Sequence, residues 1–487
     1  MRKVHLIIPP SPFLTDERVF VSLGILKVAG QLEHAGCDVE VIDLSGISNY
    51  EEAVADMFSS PSRAEPLIGI TATTPQMPAA HKIANALHKA CDNERIVIGG
   101  PHPTLVAAAV KQELKRNFKG RAHRAMAKLQ EDFHCVVAGD GEIAMLKYVL
   151  GTDGTDRPRF IDADDPKSGL FMTDAMYNET PLPARHLVDL KSYHYSIDGE
   201  NATSLIAQLG CPFQCGFCGG RNSPMLRRIR TRTTESIIKE LEFLYHMHGY
   251  KGFMFYDDEL NVNKGMVGLM EEIVKLQQRL GVEFRLRGFV KAELFDEKQA
   301  DVMYRAGFRW LLTGFESGSP RILENINKRA SYEDNTRAVK IAHDHGLKVK
   351  ALMSIGHPGE SDQTVTETKQ WLLDVKPEEL DVTIITPYPG SPYYDEAVET
   401  DKGVWTYTYK KTGDRLHAQE VDYNETADYY KGDPNGGYKS YVWTDYLDSE
   451  SLVASRNHIE NHVRSALGIP FPVNAPAIKY EHSMGQS

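Results

Sequence analysis

The chain has 487 residues, of which 41% are hydrophobic and 25% charged, with a formal net charge of −12. The acidic balance argues against a nucleic-acid binder, and no run approaches the ~20 apolar residues of a membrane helix. Six cysteines fit a reducing cytoplasm, the apolar core after Met1-Arg2-Lys3 is too short for a secretion signal, and the length predicts about three domains.

Residues 1–150 alternate short apolar runs with amphipathic stretches. Strands are predicted at Val4–Ile8, Val39–Leu44, Leu67–Ala72, Arg95–Gly99 and Cys135–Ala138, with helices near Leu23–His34, Ala79–Ala90 and Pro103–Leu114. This rhythm predicts an α/β fold beginning with a Rossmann-like open parallel sheet covered on both faces. Ligands of such sheets bind at the carboxyl ends of the strands. Those ends carry Pro9-Pro10, Thr71-Ala72-Thr73-Thr74-Pro75, Gly99-Gly100-Pro101-His102-Pro103 and Gly139-Asp140-Gly141-Glu142. Small residues and prolines there make a rigid, flat rim for a large ligand. No Gly-x-Gly-x-x-Gly follows the first strand, so a dinucleotide site is not expected. Residues 151–200 are rich in Asp, Gly and Pro, as in Gly151-Thr152-Asp153-Gly154, and read as a linker.

From Ser204 the rhythm restarts, and residues 201–400 predict a partial (β/α)6 barrel. Its strands are Ser204–Leu209, Gly252–Tyr256, Glu283–Phe289, Arg309–Phe315, Lys348–Ile355 and Leu380–Thr386, with helices near 234–248, 265–280, 296–306, 332–345 and 363–375. Gly249, Gly281, Gly307 and Gly346 stand where left-handed helix caps are wanted. Function in such barrels sits at the carboxyl ends of the strands.

Just beyond the first of these strands comes Gly210-Cys211-Pro212-Phe213-Gln214-Cys215-Gly216-Phe217-Cys218. Three thiolates on one tight loop can hold three corners of an iron–sulfur cube and leave the fourth iron open. Half of a zinc site is an alternative, but such sites usually take four ligands and no cysteine follows Cys218. A disulfide is another, and it wants an oxidising compartment.

The other strand ends are polar. They carry Asp257-Asp258-Glu259, Gly314-Phe315-Glu316-Ser317-Gly318-Ser319, Gly356-His357-Pro358-Gly359-Glu360 and Thr386-Pro387-Tyr388-Pro389-Gly390-Ser391-Pro392. Asp, Ser and Gly after a strand are also ordinary turn formers. Arg221, Arg227, Arg228, Arg230 and Arg232 make a local basic patch, either solvated or facing an anionic group or an acidic electron donor. Residues 401–487 hold an aromatic-rich cap with a turn at 432–437 and a helix near Ser449–Leu467. Its aromatics either line a substrate wall or pack the cap itself.

The cysteine run resembles the signature of the radical S-adenosylmethionine (SAM) enzymes. The rim segments at residues 1–150 resemble the cobalamin-binding domain that precedes the catalytic domain in one branch of them. Pro181-Leu182-Pro183-Ala184-Arg185 is similar to the connector found before their cluster domain. The resemblance covers about residues 1–400. It implies a [4Fe-4S] cluster on Cys211, Cys215 and Cys218, with SAM chelating the fourth iron. It places Asp257 and Asp258 at the methionyl ammonium, and Glu316 and Ser317 at the ribose and carboxylate. It sets Ile355, Gly356, Gly359 and Phe217 around the adenine. It puts Thr73, Gly100 and His102 on the cobalamin rim. The Asp-x-His-x-x-Gly motif of many cobalamin proteins is absent, so no axial histidine from such a motif is expected; His102 is the nearest candidate, and a histidine fixing a Pro-rich turn is its plainer reading. An apo scaffold that has lost its cofactor is the plainer reading of the whole domain. Lys291 and Glu293 stand where relatives tend to show an Arg…Asp pair, and lysine lacks the planar bidentate grip of arginine.

The implied activity is cobalamin-dependent methyl transfer to carbon of a small molecule after hydrogen abstraction, driven by a low-potential donor such as flavodoxin or ferredoxin. The alternative is a radical cyclisation, deoxygenation or rearrangement without methyl transfer. A cobalamin-binding sensor is a rival of another class, though a sensor needs no open iron.

Overall fold

The computed structural model describes residues 2–14, 16–59, 66–91, 93–151, 157–433 and 436–470. Its first sheet holds β1 (Lys3–Ile8), β2 (Asp38–Asp43), β3 (Leu67–Thr71), β4 (Arg95–Gly99), β5 (Cys135–Ala138) and β6 (Phe160–Asp162) in the order β2-β1-β3-β4-β5-β6. All neighbours are parallel. The strands are apolar on both faces because both are covered. Val4, Leu6, Val97 and Val137 pack under α1 (Leu23–His34) and α6 (Gly141–Leu150). Ile7, Ile68, Ile96 and Val136 pack under α2 (Tyr50–Phe58), α3 (Met77–Ala90), α4 (Pro101–Lys115) and α5 (Arg121–Asp132). The chain reverses direction across the sheet between β1 and β3, which opens a crevice at the strands' carboxyl ends.

The stretch 151–200 is not a bare linker. It supplies β6, then α7 (Asp174–Glu179), then β7 (Tyr195–Ile197), the antiparallel edge of the second sheet. These elements are too short to show a period in sequence. Residues 152–156 of its Asp- and Gly-rich run lie outside the described residues.

The second sheet opens with β8 (Glu200–Leu205), earlier than the predicted strand. The chain then bends, and the two-residue strand β9 (Gln208–Leu209) pairs antiparallel with β10 (Arg230–Thr231), which follows α8 (Pro224–Arg227). Then come α9 (Thr234–His248), β11 (Gly252–Phe255), α10 (Met266–Leu280), β12 (Arg285–Phe289), α11 (Glu297–Arg305) and β13 (Phe308–Glu316). After them run α12 (Pro320–Asn325), α13 (Tyr332–Asp344), β14 (Lys348–Ile355), α14 (Asp362–Val375) and β15 (Glu379–Ile384). The order β15-β14-β13-β12-β11-β8-β7 contains six parallel strands and leaves the barrel open. Gly249 and Gly281 are left-handed caps as predicted, whereas Gly307 and Gly346 come one residue after the cap position, with φ of 106° and 73°.

The open edge at β15 is closed by the carboxy-terminal unit. After α15 (Pro392–Asp395), strands β16 (Val398–Asp401), β17 (Val404–Thr408), β18 (Arg415–Gln419) and β19 (Val442–Thr444) form an antiparallel sheet, and α16 (Ser449–Leu467) docks on β15. From α16, Arg456 Nε donates to Val382 O at 2.8 Å, and Glu460 Oε1 accepts from Val382 N at 2.6 Å. Side chains thus satisfy backbone groups that an exposed edge would offer to another chain. Among the described residues, no helix is long and apolar enough to cross a membrane. The turn signal at 432–437 includes residues 434–435, outside the described residues, as does the tail from 471.

Candidate active site

The β9–β10 ladder pins the base of the cysteine loop. Gly210 has φ 88°, and a Cβ there would overlap the Arg228 carbonyl, so only glycine fits. Arg227 donates to Pro212 O at 2.7 Å and Phe213 O at 3.3 Å, turning loop carbonyls outward. Gly216 N donates to Ile326 O at 2.8 Å, and Tyr393 N donates to Gly216 O at 3.1 Å. The predicted basic patch is therefore mostly absorbed by structure. Arg227 braces this loop, Arg230 and Arg232 are engaged with Asp140 and Glu240, and Arg228 is the exposed one.

Cys211, Cys215 and Cys218 are free thiols on the wall of one cavity of about 630 Å3. Burial pushes the Cys211 and Cys218 thiols up to about 12, and raises Cys215 against the pull of Lys328 and Lys291. Cys218 is the most exposed of the three and faces this concave space. Three such thiols become thiolates when a metal supplies the missing positive charge. Among the described residues, no three His, Cys, Asp or Glu converge tightly enough for a single metal ion. A cube asks for something else, one thiolate on each of three irons, and the donor set fits it.

The strand-end carboxylates divide. Asp258 lines the cavity, with Oδ2 accepting from Gly210 N at 2.7 Å, and burial raises its carboxyl above the usual range. Asp257 does not do what was expected of it. Its oxygens accept from the backbone N–H groups of Ala207 and Gln208, so it braces the bend before β9 rather than facing a ligand. Glu316 has φ 65°, an uncommon conformation for a non-glycine residue. Its Oε1 accepts from Lys328 Nζ at 2.7 Å and its Oε2 from Ser354 Oγ at 2.7 Å. Ser354 Oγ lies 2.8 Å from His357 Nε2, extending a buried relay toward Tyr393. Lys328 holds Glu316 below its ordinary value despite burial.

The remaining expectations in the barrel are corrected in part. Ser317 is buried against α14, its Oγ 2.9 Å from Thr368 Oγ1. A Cβ on Gly356 would meet Ile384 and Val442 at 3.3 Å, and one on Gly359 would meet Asp414 at 2.6 Å. Both glycines thus turn toward the carboxy-terminal sheet, and Ile355 is buried in the barrel core. Phe217 packs on Ile322, Leu323 and Ile326 with its ring 5.5 Å from His357. Lys291 keeps a cationic role at strand three, paired with Glu293 at 2.8 Å and stacked 4.1 Å over Phe213 in the cysteine loop.

The first sheet builds the facing wall of the same cavity. Thr73 and Gly100 lie on it. Between the sheet and helices α1 and α6 it deepens into a slot lined by Leu6, Val28, Val97, Val137 and Met145. A Cβ on Gly69 would stand 2.7 Å from Leu6 and 3.3 Å from Met145, so glycine leaves this slot open. A flat rim over a deep apolar slot fits a corrin with its nucleotide tail. His102 does not share this wall. It is 1% exposed, 3.2 Å from Thr74 Oγ1, and lines a different cavity, so it is not a rim residue. Sequence reasoning missed Tyr177, Tyr193 and Tyr256 on the large cavity and Lys328 beside Cys215. None of these belongs to a local motif, whereas Tyr388 sat in a strand-end segment and Tyr430 in the aromatic-rich region already singled out.

The B12 binding domain model matches residues 14–148, and the radical SAM superfamily model matches residues 205–372. An uncharacterized methyltransferase of Pyrococcus horikoshii is 27% identical over 414 residues, covering 81% of this chain and 83% of that protein. An anaerobic magnesium-protoporphyrin IX monomethyl ester cyclase of Rubrivivax gelatinosus is 24% identical over 387 residues, 77% of this chain and 64% of that one. The fold is similar to that of the radical SAM methyltransferase TsrM from Kitasatospora setae, solved with cobalamin and a [4Fe-4S] cluster bound. The TM-score is 0.65 at 16% identity, covering 97% of this chain and 90% of that one.

Proposed function

Because the chain belongs to the radical SAM superfamily and carries a B12-binding domain ahead of the barrel, we propose that it methylates a small molecule at carbon, using a [4Fe-4S] cluster, SAM and cobalamin. One observation carries this reading: the three cysteines and the rim of the first sheet line a single cavity. When bound, the cluster with SAM supplies radical access to a C–H bond and cobalamin supplies the methyl group.

Cys211, Cys215 and Cys218 hold the cluster. Asp258 accepts from the methionyl ammonium, and Glu316, fixed by Lys328 and Ser354, orients the ribose. Thr73, Gly100 and the slot around Gly69 seat the corrin. Tyr256, Tyr388 and Tyr430 complete the wall and exclude water from the reacting groups. The protein's contribution is binding, orientation and exclusion of competing reactions. Electrons come from flavodoxin or ferredoxin, in a cytoplasm where the six cysteines stay free. The similarity to a cyclase supports a second reading, ring formation without methyl transfer. Anaerobic reconstitution followed by mass spectrometry separates them. Methyl transfer gives S-adenosylhomocysteine and a product heavier by one methylene; the second reading gives neither.

A further inference from the structure

Behind the start of α4 lies a second cavity, of about 340 Å3, walled by His102, by α5, by Thr386 and Pro387 beyond β15, and by the carboxy-terminal unit. Its size is that of a small ligand site. At its floor sits Arg121, 6% exposed. One N–H of the guanidinium donates to Tyr394 O at 2.6 Å, and its carbon lies 3.6 Å from the Tyr394 ring and 4.2 Å from that of Trp405. A guanidinium has five N–H donors. Among the described residues, no carboxylate forms an ion pair with it.

The nearest acids are committed elsewhere. Glu420 accepts from Arg124 at 2.7 Å and from Trp405 Nε1 at 2.8 Å, and Asp395 accepts from Asn222 at 2.5 Å and Gly390 N at 3.2 Å. At the mouth, Lys128 pairs with Asp422. Arg124 and Lys128 are thus offset by Glu420 and Asp422, while Asp395, held by neutral groups, and Glu420 act on Arg121 only at longer range. Arg121 is held by one carbonyl and two aromatic rings with no carboxylate in contact, and an anion in the cavity would use the donors that Tyr394 O leaves over. His102 adds a second polar group: Nδ1 faces Thr74, and its other ring nitrogen makes no hydrogen bond among the described residues. Burial holds it neutral, so it can donate to an anion without adding charge. The rest of the wall is aromatic or apolar, including Tyr423, Tyr441, Val421 and Ala418.

We infer that this second cavity binds a small organic carboxylate, with Arg121 gripping the carboxylate and the tyrosine wall covering the apolar body. The site is separate from the cysteine cavity and stands whichever reaction the enzyme performs.

The test is isothermal titration of the reconstituted holoenzyme, at verified iron and corrinoid content, with benzoate, benzyl alcohol and inorganic phosphate. Benzoate is expected to bind one site per chain, and the other two at least tenfold more weakly. Arg121→Met should weaken benzoate at least tenfold. Ala125→Leu, which fills the cavity from α5 and keeps the guanidinium, should do the same and carries the test where Arg121→Met does not fold. No benzoate binding, equal binding of benzyl alcohol or phosphate, or benzoate binding unchanged in the variants would overturn the inference.

Discussion

Arg230 of the barrel and Asp140, the residue that precedes α6 in the first domain, form an ion pair buried at the seam of the two cofactor walls. Arg230 is 1% exposed. The pair ties β10, one side of the cysteine loop, to the rim after β5, beside a second tie in which Asp164 accepts from Ser223 Oγ and Met225 N. Removing one partner strands the other charge. Arg230→Met should destabilise the protein by about 3–5 kcal/mol, and adding Asp140→Leu should recover much of the loss. Chemical denaturation of the parent, the single variant and the double variant checks this. Equal stability of Arg230→Met and the parent would show that the seam is not held here.

The loop predicts a contrast between two glycines. Gly210→Ala forces a side chain onto the Arg228 carbonyl at φ 88°, whereas Gly249 has φ 73° with open space around its Cβ position. Gly249→Ala should cost about 1–2 kcal/mol. Gly210→Ala should cost more and empty the iron site. Iron content after reconstitution reads the difference; equal iron in both variants would contradict the proposed loop geometry.

Two adjacent aspartates should behave differently. Asp258→Asn should weaken SAM binding by about 10- to 150-fold, the equivalent of one charge-assisted hydrogen bond. Asp257→Asn should act on loop stability and iron retention, because its partners are backbone N–H groups of the chain itself. Titration of SAM against each variant, corrected for iron, decides. A larger SAM defect in Asp257→Asn would reverse the assignment.

His102→Ala should leave the corrinoid absorbance spectrum unchanged, since His102 lines the other cavity. Alanine at Cys37, Cys91 or Cys135 should leave iron content unchanged as well, because none of them lines the cysteine cavity. A corrinoid spectrum altered in His102→Ala would return that residue to the rim.

Glu360 gives a pH signature. Burial pushes its carboxyl up to about 7 from an ordinary 4.5, although it accepts from Thr364 Oγ1 at 2.6 Å and Gly356 N at 3.1 Å. The folded protein holds this proton more tightly than the unfolded chain. The contribution is present in full below pH 4.5 and is lost as pH rises through 7, with a slope of about 1.4 kcal/mol per pH unit inside that window. Glu360→Gln should flatten the slope in calorimetry between pH 5 and 7. An unchanged slope would mean that Glu360 is ionised throughout.

Periodic parts of the fold were legible, and singular ones were not. Helix α9 and strand β14 are long and uniform, so apolar spacing located both to the residue. Strand β6 is three residues long and buried only by its neighbours, which no local pattern reveals. Cys211, Cys215 and Cys218 were legible because one loop carries all three. Lys328 was not, because its partners Glu316 and Cys215 come from other segments. Asp257 shows the limit of reading by position: a carboxylate at the right strand end turned out to serve the backbone. The tyrosine wall was half legible. The tail's aromatic richness stood out, but only folding sorts Tyr430 onto the cavity and Trp405 and Tyr407 into packing.

The central claim is that one cavity seats both metal cofactors. Electron paramagnetic resonance of the reconstituted protein, with the cluster reduced and cobalamin as cob(II)alamin, tests it most directly. Magnetic coupling between the two centres is expected, seen as splitting or broadening of the cobalt signal, and it should disappear when Cys211, Cys215 and Cys218 are all replaced by alanine while corrinoid content is unchanged. A cobalt signal identical with and without the reduced cluster would contradict it.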